Sequence, residues 1–218
     1  MHLTELRRLV AQGEGLHLEF KRKARHPEKI ARELVAFANT DGGLLLVGVD
    51  DDRTVYGCKF ADEDAFALDA FIGKYCVPKL PLRVTRIPVN AQREVLAYEV
   101  RPSRRRPHFL LDPLNPGQKS AFIRVADMSI TASREMVQLL RHQRRKQGVS
   151  LSVGDPERLL LRHLEAAPHI TFDQARDLLR LSRRHVSETL VLLVRAGVLS
   201  IHPSEKGDLF RLAGDLAA

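Results

Sequence analysis

Leu3, Leu6, Leu9 and Val10 recur at helical spacing before Gly13 and Gly15 interrupt the pattern, which predicts a short helix over residues 3–11. Leu16, Leu18 and Phe20 then alternate with His17 and Glu19. A period of two predicts a strand over 16–20 whose buried face carries the apolar residues, with Glu19 turned away from that core. Pro27 suits a first helical position, and Ile30, Leu34, Phe37 and Ala38 form an apolar stripe closing near Asn39 and Gly42, which predicts a second helix. The continuous apolar run over 44–49 predicts a buried strand, and the acidic turn Asp50-Asp51-Asp52 is expected to return the chain as a hairpin through 54–58.

Helical spacing returns over 62–76, and strands are predicted over 82–89 and 94–100, joined by a turn around Asn90 and Gln92. A basic loop, Arg104-Arg105-Arg106, precedes a predicted strand over 120–125 and a helix over 133–145. Residues 148–154 are small and weakly periodic, which places a linker there and a domain boundary near residue 152. Beyond it the pattern predicts helices over 156–165, 172–179 and 182–196, then short strands over 198–202 and 209–212 around the polar turn 204–208. Leu181, Val186, Leu190, Leu193 and Val194 mark the buried face of the last helix, and Gly197 caps it. Three helices and a hairpin in this order describe a winged helix-turn-helix. The expected fold class is therefore α+β: a mixed α/β domain over residues 1–150, followed by a small winged helix-turn-helix domain over 152–218.

With 44% hydrophobic and 28% charged residues among 218, the chain can bury a core. No stretch approaches the roughly 18 consecutive apolar residues of a spanning helix. Residues 1–11 carry Glu5, Arg7 and Arg8 where a signal peptide needs an apolar region, so a membrane or secretory protein is not expected. The only cysteines, Cys58 and Cys76, are far apart and form no CxxC, which excludes a disulfide framework and a structural zinc site; a cytoplasmic location is expected. Thirty-five Lys and Arg against 27 Asp and Glu give a net charge of +8. From residue 151 onward the charges balance, so the excess belongs to residues 1–150 and favours a polyanionic partner. Three clusters could neutralise phosphates: Lys21-Arg22-Lys23 with Arg25, Arg104-Arg105-Arg106, and Arg141 with Arg144, Arg145 and Lys146. The start of the last long helix presents Arg183, Arg184, His185, Ser187 and Glu188, side chains suited to phosphates and base edges.

Three segments together carry a resemblance: Glu14-Gly15-Leu16-His17-Leu18-Glu19-Phe20-Lys21, then Phe37-Ala38-Asn39-Thr40-Asp41-Gly42-Gly43, then Val47-Gly48-Val49-Asp50-Asp51. With Phe122-Ile123-Arg124-Val125-Ala126, Ser129 and the helix from Ser133, the chain resembles the Schlafen AlbA-type domain over about residues 10–145. The resemblance implies a nucleic-acid-binding α+β domain, often carried by prokaryotic regulators with an attached winged helix. In some Schlafens it implies a metal-dependent endoribonuclease that uses three carboxylates. By motif position these would be Glu14, Glu19 and Asp51, with Asp50 as an alternative third ligand, holding Mg²⁺ or Mn²⁺ to activate water, while Lys21 and Arg22 hold the phosphate. Those nucleases fuse two related halves around a basic groove; this chain carries one copy, so a homodimer would have to replace that arrangement.

Family members are often labelled ATP-binding, but GxxxxGK[ST] and GxGxxG are both absent, so ATP stays an outside reading. The stretch from Asn39 to Gly43 can close a helix, its glycines supplying positive φ, or can let the backbone approach a phosphate. The leading expectation is a DNA-binding transcriptional regulator. Lys21, Arg22, Lys23, Arg104, Arg105 and Arg106 would contact the phosphate backbone; Arg183, Arg184 and Ser187 would read DNA; and a homodimer would match palindromic sites. The rival expectation is the metal-dependent endoribonuclease, with RNA as the partner.

Overall fold

The computed structural model describes residues 1–143 and 153–214. The chain divides into two compact units, Met1–Thr131 and Ala132–Ala218.

In the first unit α1 (Leu3–Gln12) precedes β1 (Leu18–Lys21), α2 (Pro27–Asn39), β2 (Gly43–Val47) and α3 (Ala61–Tyr75). There follow β3 (Cys76–Val77), β4 (Leu82–Asn90), β5 (Arg93–Val100), β6 (Phe109–Leu111), β7 (Lys119–Ser120), β8 (Phe122–Val125) and β9 (Met128–Thr131). The main sheet runs β1-β2-β5-β4, with β1 and β2 parallel and the other pairs antiparallel. A parallel pair needs a crossover, and α2 supplies it. Leu45 and Val47 of β2 face α2 and α3, packing with Ile30, Leu34, Phe37, Leu68 and Tyr98. Leu46 faces the opposite way, into a core with Leu6 and Val10 of α1, Phe20, Ile87 and Val95. Helices cover both faces of the sheet, which is why the 44–49 run is continuously apolar rather than alternating.

The same double cover corrects the expectation for Glu19, which does not face solvent. Leu18 and Phe20 join the α1-side core, and Glu19 is buried on the other face of β1. The hairpin expected across 44–58 does not form a second strand. Val49 and Val55 make one isolated antiparallel bridge, and β2 takes β5 as its antiparallel neighbour instead. The strand expected over 120–125 breaks at Ala121, with β7 pairing to β6 and β8 forming its own hairpin with β9.

The second unit contains α4 (Arg134–Gln143), α5 (Asp155–Ala166), β10 (Ile170–Thr171), α6 (Phe172–Leu179), α7 (Arg183–Arg195), β11 (Leu199–His202) and β12 (Leu209–Leu212). Its antiparallel sheet runs β10-β12-β11. Leu160, Leu164, Ile170, Val186, Leu190, Leu193 and Phe210 fill the core. Local chemistry sets the helix ends. Thr171 and Gln174 form a capping box at the start of α6, Arg180 ends α6 with a left-handed φ of 52°, and Ser182 caps α7. The boundary expected near residue 152 falls outside the described residues. The division between the units lies between Thr131 and Ala132, and α4 packs along α7. The part of the helix expected over 133–145 that lies beyond Gln143, with Arg144, Arg145 and Lys146, also lies outside the described residues.

Candidate nucleic-acid interface

The carboxylates named by motif are held in separate tasks. One Glu14 carboxylate oxygen accepts the Phe20 backbone N–H at 2.7 Å, satisfying a donor on the outer edge of β1. Glu19 accepts from Lys21 through one oxygen and from Arg124 Nη1 through the other, at 2.9 Å. Arg124 is fully buried and also donates to Glu33 at 2.8 Å and to the Gly15 carbonyl at 2.6 Å. Burial pushes the Glu19 carboxyl above its usual range; the Lys21 ammonium opposes this, and the nearby Glu33 and Glu14 charges add to it. Asp50 accepts from Arg22 at 2.9 Å, and Asp51 is exposed at the turn. Among the described residues no group of three or more His, Cys, Asp or Glu side chains is placed to hold one ion. Glu14, Glu19 and Asp51 therefore do not offer the convergent oxygen set that Mg²⁺ or Mn²⁺ requires.

The Asn39 to Gly43 stretch is structural in its contacts. The Asn39 side-chain amide donates to the carbonyls of His108 and Phe122 and accepts from the His108 N–H, tying the end of α2 to the residue before β6 and to β8. A Cβ on Gly43 would lie 2.4 Å from the Phe37 ring, and Gly42 takes a φ of 78°. Arg106 closes the same helix end, donating to the Ala38 and Thr40 carbonyls, so it serves the fold. Arg104 and Arg105 remain exposed beside it.

At the other end of α2 the picture reverses. Arg22, Lys23 and Arg25 meet Lys59 and Arg93 around one cleft of about 540 Å³, with Asp64 as its acidic residue. Backbone geometry builds this wall. Tyr56 and Gly57 both donate N–H to the Gly48 carbonyl, and a Cβ on Gly48 would lie 2.9 Å from Gly57 Cα, so only paired glycines allow the approach. Cys58 then pairs with Glu94 at the start of β5, bringing Arg93 beside the loop, and Arg93 donates to the Gly57 carbonyl at 3.1 Å. Tyr56 and Phe60 line the cleft and are partly exposed. The Arg22 guanidinium lies 4.4 Å from the Tyr56 ring centre, and the Lys59 ammonium 5.4 Å from that of Phe60. Burial pushes the Cys58 thiol up to about 12, with Asp64 adding to the shift, so it is not a nucleophile. A second cleft, about 680 Å³, sets Arg83 and Arg101 against Asp41 and Glu99 and so lacks this charge bias.

Sequence reasoning identified Lys21, Arg22, Lys23 and Arg25 but missed Tyr56, Lys59, Phe60 and Arg93. Aromatic and basic residues interleave in Tyr56-Gly57-Cys58-Lys59-Phe60, a local signal. Arg93 arrives only through the Cys58–Glu94 bridge, which has no signature in sequence. Lys21 is engaged with Glu19.

In the second unit Arg183, Arg184 and His185 are exposed at the start of α7. Arg183 lies 4.9 Å from the Phe172 ring, and Arg184 donates to Glu188 at 2.8 Å, an exposed pair of low strength. Ser187 is only 1% exposed and its hydroxyl meets the Gln138 side chain at 3.2 Å, so it is not available to a base edge. Among the described residues no helix is long and apolar enough to cross a membrane.

The family described as Schlafen, AlbA_2 matches residues 14–133, a span that includes the cleft and the Arg104 to Arg106 loop. Among solved structures, the N-terminal domain of a RecG-related protein from Nitrosomonas europaea is similar at 21% identity and a TM-score of 0.43. That match covers 62% of this chain and 96% of that one. The DIP2311 protein from Corynebacterium diphtheriae is similar at 16% identity and a TM-score of 0.42, over 89% of this chain and 34% of that chain's length.

Proposed function

Because the chain belongs to the Schlafen AlbA_2 family, whose domain type points to nucleic-acid binding, we propose that it is a DNA-binding transcriptional regulator. One observation carries the reading: exposed cations with no carboxylate partner among the described residues flank α2 at both ends. Lys23 and Arg25 precede it, and Arg104 and Arg105 lie beside its C-terminal end. Thirteen helical residues separate the two groups by about 20 Å. That length corresponds to roughly six base steps of duplex, so the two loops can engage phosphates several nucleotides apart. Such contacts set position and affinity without reading sequence.

The order of α5, α6, α7 and the β10-β12-β11 sheet supports a winged helix-turn-helix. In that reading Arg183, Arg184 and His185, at the N-terminal end of α7, meet base edges and phosphates in the major groove. Ser187 drops out of the contact set because it packs against α4. A single recognition helix reads one half-site, so a homodimer would match a palindromic operator. Selection from a random duplex library tests this: enrichment of an inverted repeat supports a dimeric regulator, and recovery of unrelated sequences contradicts it.

A further inference from the structure

We propose that the cleft between the β1–α2 loop and the Tyr56 to Phe60 segment takes an unstacked nucleotide of a single-stranded nucleic acid. The inference rests on the nucleic-acid reading and names the form of ligand that this part of the first unit receives. Volume comes first. About 540 Å³ lies in the range of small-ligand sites, large enough for a base with its sugar but closed to a paired duplex. A duplex can present only its backbone to this wall.

Charge comes second. Arg22, Lys23, Arg25, Lys59 and Arg93 outnumber the single carboxylate of Asp64. Among the described residues Lys23, Arg25 and Lys59 form no ion pair, while Arg22 shares Asp50. This excess exceeds what one phosphate balances, so it suits successive phosphates of a strand. Surface chemistry comes third. Phe60 is 58% exposed and Tyr56 39%, and both rings line the cleft, so each offers accessible aromatic surface to a bound base. Every base has a π-face, so a ring beside a basic rim is the arrangement that holds single strands without sequence preference. Arg22 over Tyr56 and Lys59 over Phe60 place a cation on one face of each ring, so a base stacks on the opposite face or displaces the cation, which then lies close enough to neutralise its phosphate.

A base carrying several phosphates could also be a free nucleoside triphosphate, so the test separates the two sources. A fluorescein-labelled 15-mer of thymidylate, the matching uridylate strand and a duplex of equal length are titrated against the full chain by anisotropy. ATP serves as competitor. The strand carrying 5-iodouracil is then photocrosslinked and the adduct mapped by mass spectrometry. The expected result is a crosslink at Tyr56 or Phe60, together with an approximately tenfold fall in the strand-to-duplex affinity ratio in Tyr56→Ala/Phe60→Ala. Tyr56→Phe/Phe60→Tyr, which keeps both rings, restores the ratio. Circular dichroism checks that the exposed truncations leave the fold intact. Tighter binding of either the DNA or the RNA strand supports the proposal and identifies its sugar. An unchanged ratio with crosslinks elsewhere overturns the cleft assignment while leaving nucleic-acid binding in place. Displacement of the strand by equimolar ATP also overturns it, in favour of a nucleotide site. Retention of neither strand nor duplex overturns the function on which it rests.

Discussion

The guanidinium of Arg124 lies 2.9 Å from the Glu19 carboxylate, joining β8 to β1 across 105 residues of sequence. Glu33 on α2 shares the same nitrogen at 2.8 Å, and Lys21 holds the other oxygen of Glu19. Two cations thus meet two carboxylates in a site where the Arg124 side chain has no exposed surface. The Arg124 side chain also lies 4.9 Å from the Phe37 ring, so the pair is packed as well as charged. An acidic residue that motif position suggests for a metal instead holds the sheet to the β8-β9 hairpin.

Arg124→Leu removes the shared partner of buried Glu19 and half-buried Glu33, which costs about 3 kcal/mol. Glu19→Gln costs less, since Arg124 keeps Glu33 and the Gly15 carbonyl. Urea unfolding followed by circular dichroism checks the order. A midpoint for Arg124→Leu equal to that of the unaltered chain contradicts a structural role for the pair.

His108 gives a pH dependence. It is fully buried, its Nδ1 facing the Pro78 carbonyl at 2.8 Å and its Nε2 the Ser103 hydroxyl at 2.6 Å. A carbonyl only accepts, so the proton sits on Nδ1 and Nε2 accepts from Ser103. Burial holds the imidazole below its usual value of 6.5; the nearby Arg105 and Arg106 charges add to this, and the Pro78 bond opposes it. The unfolded chain therefore binds the proton first. Stability is full above about pH 6.5 and is lost as pH falls from there through the lower folded value. Urea midpoints between pH 7.5 and 5.5 should decline, and His108→Gln should reduce that slope. Equal slopes in the two proteins would remove His108 as the cause.

Gly43→Ala forces a methyl to within 2.4 Å of the Phe37 ring, which is itself fully buried. Overpacking of this kind costs about 1–3 kcal/mol. A thermal melt shows it directly, and an unchanged melting temperature would mean that Phe37 can move aside.

The start of α7 separates contact from packing. Arg183→Ala/Arg184→Ala should weaken duplex binding and flatten its salt dependence, because two cations leave an exposed helix end. Ser187→Ala should leave DNA affinity unchanged within about twofold, because the hydroxyl faces Gln138. Anisotropy at fixed salt reads both. A large loss from Ser187→Ala would mean that α4 moves away from α7 when DNA binds.

Periodicity made most of the architecture legible. The stripe Ile30, Leu34, Phe37 fixed α2, and the turn at Asn90 and Gln92 fixed the β4-β5 hairpin. The misreadings came from long-range partners. Glu19 looks solvent-facing because alternation assumes one covered face, whereas helices cover both. Arg106 reads as one of three identical cations, but only its contact with the Ala38 and Thr40 carbonyls separates it from Arg104 and Arg105. Ser187 reads as a recognition-helix residue until α4 is placed against it. The short strands β3, β6 and β7 exist through each other and have too few residues for a period of their own. Within the cleft, the loop cations were visible as a run, whereas Arg93 depended on tertiary pairing.

If the cations flanking α2 hold a nucleic-acid backbone, binding depends on the release of counterions. The affinity for a labelled 30-base-pair duplex, measured between 50 and 300 mM salt for the unaltered chain and for Lys23→Ala/Arg25→Ala, tests this. The expected result is a linear fall of log affinity with log salt, with a slope shallower by about two in the variant. An affinity insensitive to salt, or identical slopes in the two proteins, would contradict backbone binding by these cations.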